Sequence, residues 1–406
     1  MDASIRARAR RLGRKPRCAA AVAVSLLAAF APACQKHAPR EAPPPKSAQA
    51  AEAPPEERTP VEDANAPARD VSAEHGKFAK NHVSAGLDWL AAAQEGDGHW
   101  SSRGWGGAEE RDVGVTGLAL LAFSGAGRTH KRGRLHTTVA KALEWLKARQ
   151  ERDGRFPWRT FDEQGIATLA VCEAYGLTAD KELRPVARRA IDYILSAQPS
   201  HGGFGPQGAA TKEAGDMLST GWQILAFEGA VRAELLVLAD KVDDNAARFR
   251  TFLGNTYRGE GASAERVGSK EPTPTATAIG TVCRTCLGGD YGREIEAGAK
   301  WLLDYEKRVG GAGQGQHRLL GDPLYSYFGT LAMCRMEGSH WSQWRKLSLD
   351  PFERVQVETG RDERGRPLAG SWDPACHYGG NEYGRVGTTA LAILVLETWP
   401  RFPRYH

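Results

Sequence analysis

Two apolar patterns alternate along this chain. The first is one-sided. In "LDWLAAAQEGDGHW" (residues 87–100), apolar residues fall at helical spacing with polar ones between, and the shape returns in "LEWLKARQERDGRF" (143–156) and "IDYILSAQPSHGGF" (191–204). This spacing predicts amphipathic helices with Lys, Arg and Glu facing water. The second pattern is apolar nearly all round and rich in small residues: "VGVTGLALLAFSGAG", "GIATLAVCEAYGLT", "LSTGWQILAFEGAV", "TATAIGTVCRTCLGG", "YFGTLAMCRMEG" and "VGTTALAILVLE". A helix apolar on every face must be buried on every face. Gly125, Gly127, Gly176, Gly229, Gly288 and Gly338 near the ends of these runs fit C-terminal stops.

The aromatic markers of the amphipathic helices give the period. Trp89, Trp145, Tyr193, Phe249 and Trp301 are separated by 56, 48, 56 and 52 residues. A two-helix unit of about 50 residues is a repeat architecture, and six all-apolar helices imply about six hairpins. An open row would expose an apolar face at each end. Closing the row into a ring, with apolar helices inside and amphipathic ones outside, removes both ends, so the expected fold is an all-α α/α toroid. Gln-x-x-x-Gly-x-Trp/Phe marks each outer helix end. The Gly turns the chain, the aromatic folds back into the core, and the Gln amide reaches backbone groups of a neighbouring helix terminus. The last repeat has Gly370-Ser371-Trp372 without a Gln four residues earlier, so its staple is expected to be incomplete.

With 406 residues, 41% of them hydrophobic, the chain can bury a large core. Its net charge of +5 is misleading, because residues 1–33 carry seven Lys and Arg and one Asp, which leaves the rest near balance. Nothing here favours nucleic acid. Residues 1–33 read as a signal peptide: a basic start, then "CAAAVAVSLLAAFAPA", too short and Ala-rich for a membrane span. Ala31-Pro32-Ala33 offers a cleavage site, and Cys34 directly after it offers a lipoprotein-type site. A lipidated Cys34 or an uncleaved leader would tie the chain to a membrane, so export to the periplasm or outer membrane of a Gram-negative cell is expected. Residues 34–75, rich in Pro, Ala and Glu, read as a disordered tether. Residues 76–406 form the repeat domain. Cys172, Cys283 and Cys334 sit in apolar helical runs and read as buried thiols.

The repeated Gln94…Gly98-His99-Trp100, Gln150…Gly154-Arg155-Phe156 and Gln198…Gly202-Gly203-Phe204 resemble the QW motifs of squalene-hopene and oxidosqualene cyclases, whose α/α barrel is shared with protein prenyltransferase β subunits. "GSWDPACHYGGNEYGRVGTTALAILVLETWPRF" and "YSYFGTLAMCRMEG" resemble more narrowly the exported prenyltransferase/squalene-oxidase repeat proteins of Gram-negative bacteria. The resemblance implies the toroid and an isoprenoid-like apolar ligand. The chain departs from it at the chemistry. Cyclases protonate an alkene with an Asp in D-x-D-D, and the nearest string here is "KVDDNA", with Lys241 in place of the first Asp and Asp243 at the donor position. Its surroundings read as the exposed start of an outer helix, whereas alkene protonation needs a dry, shifted acid. The prenyltransferase likeness implies zinc ligands, for which Asp373, Cys376 and His377 are weak candidates, since adjacent Cys and His rarely share an ion. Cys283-Arg284-Thr285-Cys286 reads as core. No thioester, Walker, G-x-S-x-G or H-E-x-x-H motif occurs, and no cofactor is implied.

In a toroid the inner-helix N-termini gather at one mouth. Asp112, Asp162, Glu163, Asp216 and Asp322 precede inner helices, with Glu382 a little further off. Helix capping explains such carboxylates. A ligand-binding rim of Glu163 and Asp322 with the aromatics Trp105, Tyr325, Tyr327, Phe328, Tyr378 and Tyr383 is the sharper alternative. Three functions follow. A noncatalytic ligand-binding or scaffolding toroid leads. An isoprenoid-processing enzyme would have a deep apolar cavity with one buried acid, Asp216 or Asp112. A polysaccharide-acting enzyme would have an open cleft with paired carboxylates.

Overall fold

The computed structural model of the protein describes residues 76–208, 215–236, 240–310, 321–374 and 380–401. The leader, the tether, Cys34, Cys376, His377 and Tyr378 lie outside them. Twelve α-helices are found among the described residues, where extended pairing is limited to isolated bridges. The outer helices are α1 (Gly76–Ala93), α3 (His136–Arg149), α5 (Leu183–Ala197), α7 (Asp240–Thr256), α9 (Gly292–Gly310) and α11 (Gly338–Arg354). The inner helices are α2 (Asp112–Gly125), α4 (Asp162–Thr178), α6 (Met217–Arg232), α8 (Pro274–Cys286), α10 (Pro323–Met336) and α12 (Gly380–Arg401). Each inner helix packs on the next, and α12 packs back on α2, so the ring closes. This is the α/α toroid that the two apolar patterns imply.

The inner helices approach closely where one offers no side chain. A Cβ on Gly229 of α6 would lie 2.6 Å from Leu169 Cδ1 of α4. Gly229 and Gly176 are not stops, whereas Gly125 is the last residue of α2. The first two lie within their helices, and Gly127, Gly288 and Gly338 adopt the left-handed φ of a stop. Trp222 of α6 stacks on Tyr327 of α10 at 5.7 Å between ring centroids and meets Phe328 edge-on at 5.1 Å. Helices α6 and α10 are not ring neighbours, so these buried rings fill space inside the circle.

The staples hold the hairpins in sequence. Gln94 Nε2 donates to the carbonyls of Gly98 (2.8 Å) and of Thr138 on α3 (2.9 Å). Gln150 does the same to Gly154 and Val186 of α5, and Gln198 to Gly202 and Asn245 of α7. Each Gln thus ties its own turn to the early turns of the next outer helix. The aromatics Trp100, Phe156 and Phe204 are fully buried. Their backbone N–H groups donate to inner-helix side chains: Thr116 Oγ1, Gln164 Oε1 and Thr220 Oγ1.

The sixth staple is complete, contrary to the sequence expectation. Gln356 fills the role, 14 residues before Gly370 instead of four. Its Nε2 donates to Gly370 O (2.8 Å) and to His82 O of α1 (2.9 Å), and His82 Nδ1 donates to Gln356 Oε1 at 2.5 Å. The intervening segment folds back on itself, with Arg361 bridged to Pro367, and Trp372 N–H donates to Thr389 Oγ1 as the other aromatics do. A four-residue motif search misses Gln356 because the excursion separates it from its Gly. This staple joins the last hairpin to the first. In the fourth repeat Tyr257 and Ser263 stand in the Gln and aromatic positions, and Arg284 of α8 occupies the space, its guanidinium 5.0 Å from the Tyr257 ring.

The turn glycines are tested by a matched pair in one loop. Gly98 has φ +105, and a Cβ there would fall 2.5 Å from Lys141 O. Around Gly96 a Cβ meets nothing within 4 Å. Gly98→Ala is expected to lower unfolding stability by about 2–4 kcal/mol, and Gly96→Ala by no more than about 0.5 kcal/mol. Urea unfolding measures both; equal effects would contradict the staple geometry.

Candidate functional site

The inner-helix N-termini do gather at one mouth, and their acids take two kinds of role. Asp216 and Asp322 are N-caps. Asp216 Oδ1 accepts the Ser219 N–H (2.7 Å) and Oδ2 accepts the Ser219 hydroxyl (2.9 Å). Asp322 Oδ1 accepts the Tyr325 N–H (2.9 Å) and Oδ2 the Thr275 hydroxyl (2.6 Å), which ties α10 to α8. Asp112 and Asp162 instead begin their helices and bond elsewhere. Capping of the first two follows from helix geometry, which leaves the first N–H groups without partners.

Between the first two hairpins lies an open groove of about 660 Å³. His99, Asp112, Trp145, Trp158, Arg159 and Glu163 line it. His99 occupies the variable position of the first staple. It donates from Nδ1 to Asp97 Oδ1 at 2.5 Å, stacks on Trp145 at 5.1 Å, and places Nε2 3.4 Å from Asp112 Oδ2. Asp112 Oδ1 also accepts the Ser102 N–H at 2.9 Å. Glu163 reaches across from α4. Its Oε2 accepts the Gly114 N–H of α2 (3.0 Å) and its Oε1 the Arg159 N–H (2.9 Å). Burial, reinforced by neighbouring Asp162, outweighs these hydrogen bonds and pushes the Glu163 carboxyl up to about 7.

A smaller cavity of about 220 Å³ opens at the mouth itself, beside Arg111, Asp162, Asp216 and Glu382. Arg111 is buried and ties the network together. Its Nη1 donates to Thr160 Oγ1 (2.5 Å) and lies 3.5 Å from Asp162 Oδ2, and its Nη2 lies 3.0 Å from Glu382 Oε2. Burial works against its charge, but the facing acids hold the guanidinium above its ordinary pKa. The buried Tyr383 hydroxyl donates to Asp162, and the Arg111 guanidinium sits 5.2 Å over the Tyr383 ring. Burial pushes Asp216 up to about 6 despite its bonds to Ser219.

The structure therefore brings Asp112 and Glu163 together in the groove, and Asp162, Asp216 and Glu382 together at the mouth. Trp105 is buried between Trp89 and the Arg366 guanidinium, 3.5 Å from its ring centre, and joins neither cavity. Tyr325 is core, donating to Glu306 Oε1 at 2.7 Å, and Tyr327 lies on Trp222. Asp373 pairs with Arg385 at 3.4 Å, and among the described residues no three His, Cys, Asp or Glu are arranged to hold a metal ion. Asp243 is exposed on α7. Sequence reasoning passed over His99, Arg111, Trp145 and Trp158. His99 stands inside the motif itself and Arg111 one residue before Asp112, but the local pattern carries no sign that either turns toward a cavity.

No family model matches the chain, and no curated protein does. Solved structures do. An α-1,6-mannanase of glycoside hydrolase class 76A from Salegentibacter matches with a TM-score of 0.57 at 10% identity, covering 79% of this chain and 98% of that one. A Clostridium perfringens α-amylase matches with a TM-score of 0.56 at 9% identity, covering 79% and 97%. The type II terpene cyclase MstE from Scytonema matches with a TM-score of 0.52 at 15% identity, covering 79% and 98%. At these identities the likeness is one of fold: the chain shares the α/α toroid with enzymes of unrelated chemistries.

The Glu163 shift has a signed consequence. The folded carboxyl titrates near 7 and the unfolded one near 4.5, so between those values the native state holds a proton that the unfolded chain has released. Stability therefore falls as pH rises through that window, by on the order of 3 kcal/mol for this group. Glu163→Gln is expected to remove that loss. Urea unfolding of both proteins at pH 5 and pH 8 checks it: the variant should gain on the wild type at pH 8, and parallel curves would contradict the shift.

Proposed function

We propose that the protein is an exported, noncatalytic ligand-binding toroid, and that its ligand is an oligosaccharide-like polar chain lying in the groove between the first two hairpins. The observation that carries this is the groove's make-up. Its volume of about 660 Å³ falls in the roughly 300–1,000 Å³ range of small-molecule sites. Trp158 offers a half-exposed aromatic face, and His99, Asp112, Arg159 and Glu163 surround it with hydrogen-bonding groups. Sugars present apolar C–H faces ringed by hydroxyls, and aromatic planes flanked by charged side chains complement them. Asp112 and Glu163 already spend oxygens on backbone N–H groups, which favours binding over catalysis. The isoprenoid alternative asks for a deep apolar space, and Trp222, Tyr327 and Phe328 occupy the interior where such a ligand would lie. The leader at residues 1–33 supports a periplasmic or outer-membrane setting, where glycans are abundant.

One observation favours a second reading, a polysaccharide hydrolase. Burial pushes the Glu163 carboxyl up to about 7, the range that suits a general acid. Glu163 also forms an adjacent acidic pair with Asp162, and the similar mannanase is inactive when two adjacent aspartates become asparagine. A single experiment separates the two. Mannotetraose and chitotetraose are titrated into the full chain by calorimetry, and reducing ends are assayed in parallel. Saturable binding weakened about tenfold or more by Trp158→Ala, about 1.4 kcal/mol, with no new reducing ends, is expected. Reducing ends that vanish in Glu163→Gln would establish the hydrolase, and no binding of either sugar would overturn the sugar-groove reading.

A further inference from the structure

In the first three repeats the staple Gln and its Gly stand four residues apart. Between Gln356 and Gly370 the chain inserts 13 residues. They form a built hairpin and not a slack loop. Gln356 is bridged to Trp372 and Arg361 to Pro367, and the Asp362 N–H donates to Arg366 O at 3.0 Å near the turn. The staple itself does not need this length, since Gln94, Gln150 and Gln198 make the same two bonds without it. The hairpin lands on the first repeat. Arg366 Nη2 donates to Gly104 O at 2.8 Å, and its guanidinium lies 3.5 Å from the centre of the Trp105 ring. Asp362 fixes that guanidinium through Nε at 2.7 Å. Trp89 Nε1 donates to Pro367 O at 2.9 Å beside it.

Gly104 and Trp105 belong to the loop between α1 and α2, and that loop is one wall of the groove: Arg103, Glu109 and Glu110 line it. Within the loop, the Ser102 carbonyl accepts the Gly107 N–H and the Ser102 hydroxyl accepts the Arg111 N–H. On the groove side Glu109 accepts a fork from Arg159, at 3.0 and 3.1 Å. That pair is exposed and holds weakly. Arg366 does not line the groove, yet it grips the same loop by a charge-assisted hydrogen bond and a stacked ring.

We propose that the hairpin is a strap that sets the position of this groove wall, and that Arg366 is a positioning residue for the ligand bound there. It touches no ligand. It acts through the Gly104 carbonyl and the Trp105 ring, so the last repeat fixes a binding surface built in the first. Arg suits the task because a flat guanidinium stacks on an indole and hydrogen-bonds in its own plane at once. The identity of the ligand rests on the sugar-groove reading; the strap does not.

The test titrates mannotetraose into the full chain by calorimetry and compares Arg366→Ala, Arg366→Lys and Arg364→Ala. Arg364 is exposed near the tip of the same hairpin, so its removal takes away an equal charge. Arg366→Ala is expected to weaken binding about fivefold, about 1 kcal/mol. Arg366→Lys should fall between it and the wild type, and Arg364→Ala should bind as the wild type does. A double-variant cycle locates the effect. Arg366→Ala is expected to be non-additive with Glu109→Gln on the loop and additive with Trp158→Ala across the groove. Unchanged binding in Arg366→Ala, an equal loss in Arg364→Ala, or additivity with both partners would overturn the assignment. Hydrogen exchange reads the strap without any ligand. The Ser102, Gly107 and Arg111 amides are expected to exchange about tenfold faster in Arg366→Ala, with those of α3 unchanged. Equal rates, or a uniform rise along the chain, would overturn the strap. A wild type that binds no sugar but shows the local exchange effect would remove the sugar reading and keep the strap.

Discussion

Six helices without a polar face can persist in water only if something covers every side of each. That requirement governs the whole molecule. The inner helices cover one another around the ring, the outer helices cover their backs, and buried aromatics fill the middle. No helix of a two-hairpin fragment could meet it, because stacking alone leaves an open flank at each end. The staples turn this demand into a definite geometry. A Gln amide donates to two carbonyls, one at its own turn and one on the next outer helix, while an aromatic is buried beneath. Each such ring buries ~150–250 Å², a gross ~4–6 kcal/mol before ordering costs.

Closure also makes the functional surface. Six inner N-termini brought to one mouth present unpaired N–H groups and positive helix ends, and acids collect there in answer. Some are consumed by that task, as Asp322 is. Asp216 caps its helix too, yet it and Glu163 are pressed by burial toward protonation and line open space. The same architecture therefore yields structural caps and reactive-looking carboxyls from the same residue types. Only their surroundings tell them apart, and unrelated toroids can place different chemistry at the same mouth.

The fold was legible in the sequence because it rests on period and polarity. Alternating one-sided and all-round apolar runs, spaced about 50 residues apart, leave little choice but a ring of hairpins. Legibility failed where the cause was non-local. Gln356 escaped notice because a 13-residue excursion parts it from Gly370. Gly229 read as a stop because its close approach to Leu169 depends on the neighbouring helix. The site was half legible: a run of acids before inner helices can be read from one dimension, and Asp112, Glu163 and Asp216 do line cavities. Which aromatics join them cannot, since Tyr325 and Tyr327 lie on the same helix end as Asp322 yet turn into the core. His99, Arg111 and Trp158 enter only once the hairpins are set side by side.

Closure between the last hairpin and the first is the claim on which the mouth, the groove and the filled interior all depend. A Cβ at Gly86 of α1 would lie 2.8 Å from the Ile393 Cδ1 methyl of α12, so the two residues touch across the closing seam, more than 300 positions apart in sequence. Methyl NMR on isoleucine-labelled protein reads this contact directly, with the Gly221–Ile279 contact between α6 and α8 as the internal standard. A nuclear Overhauser effect from the Ile393 δ1 methyl to the Gly86 α-protons, comparable to that from the Ile279 γ2 methyl to Gly221, is the expected result. Its absence while the Gly221 signal persists would mean that the row of hairpins does not close.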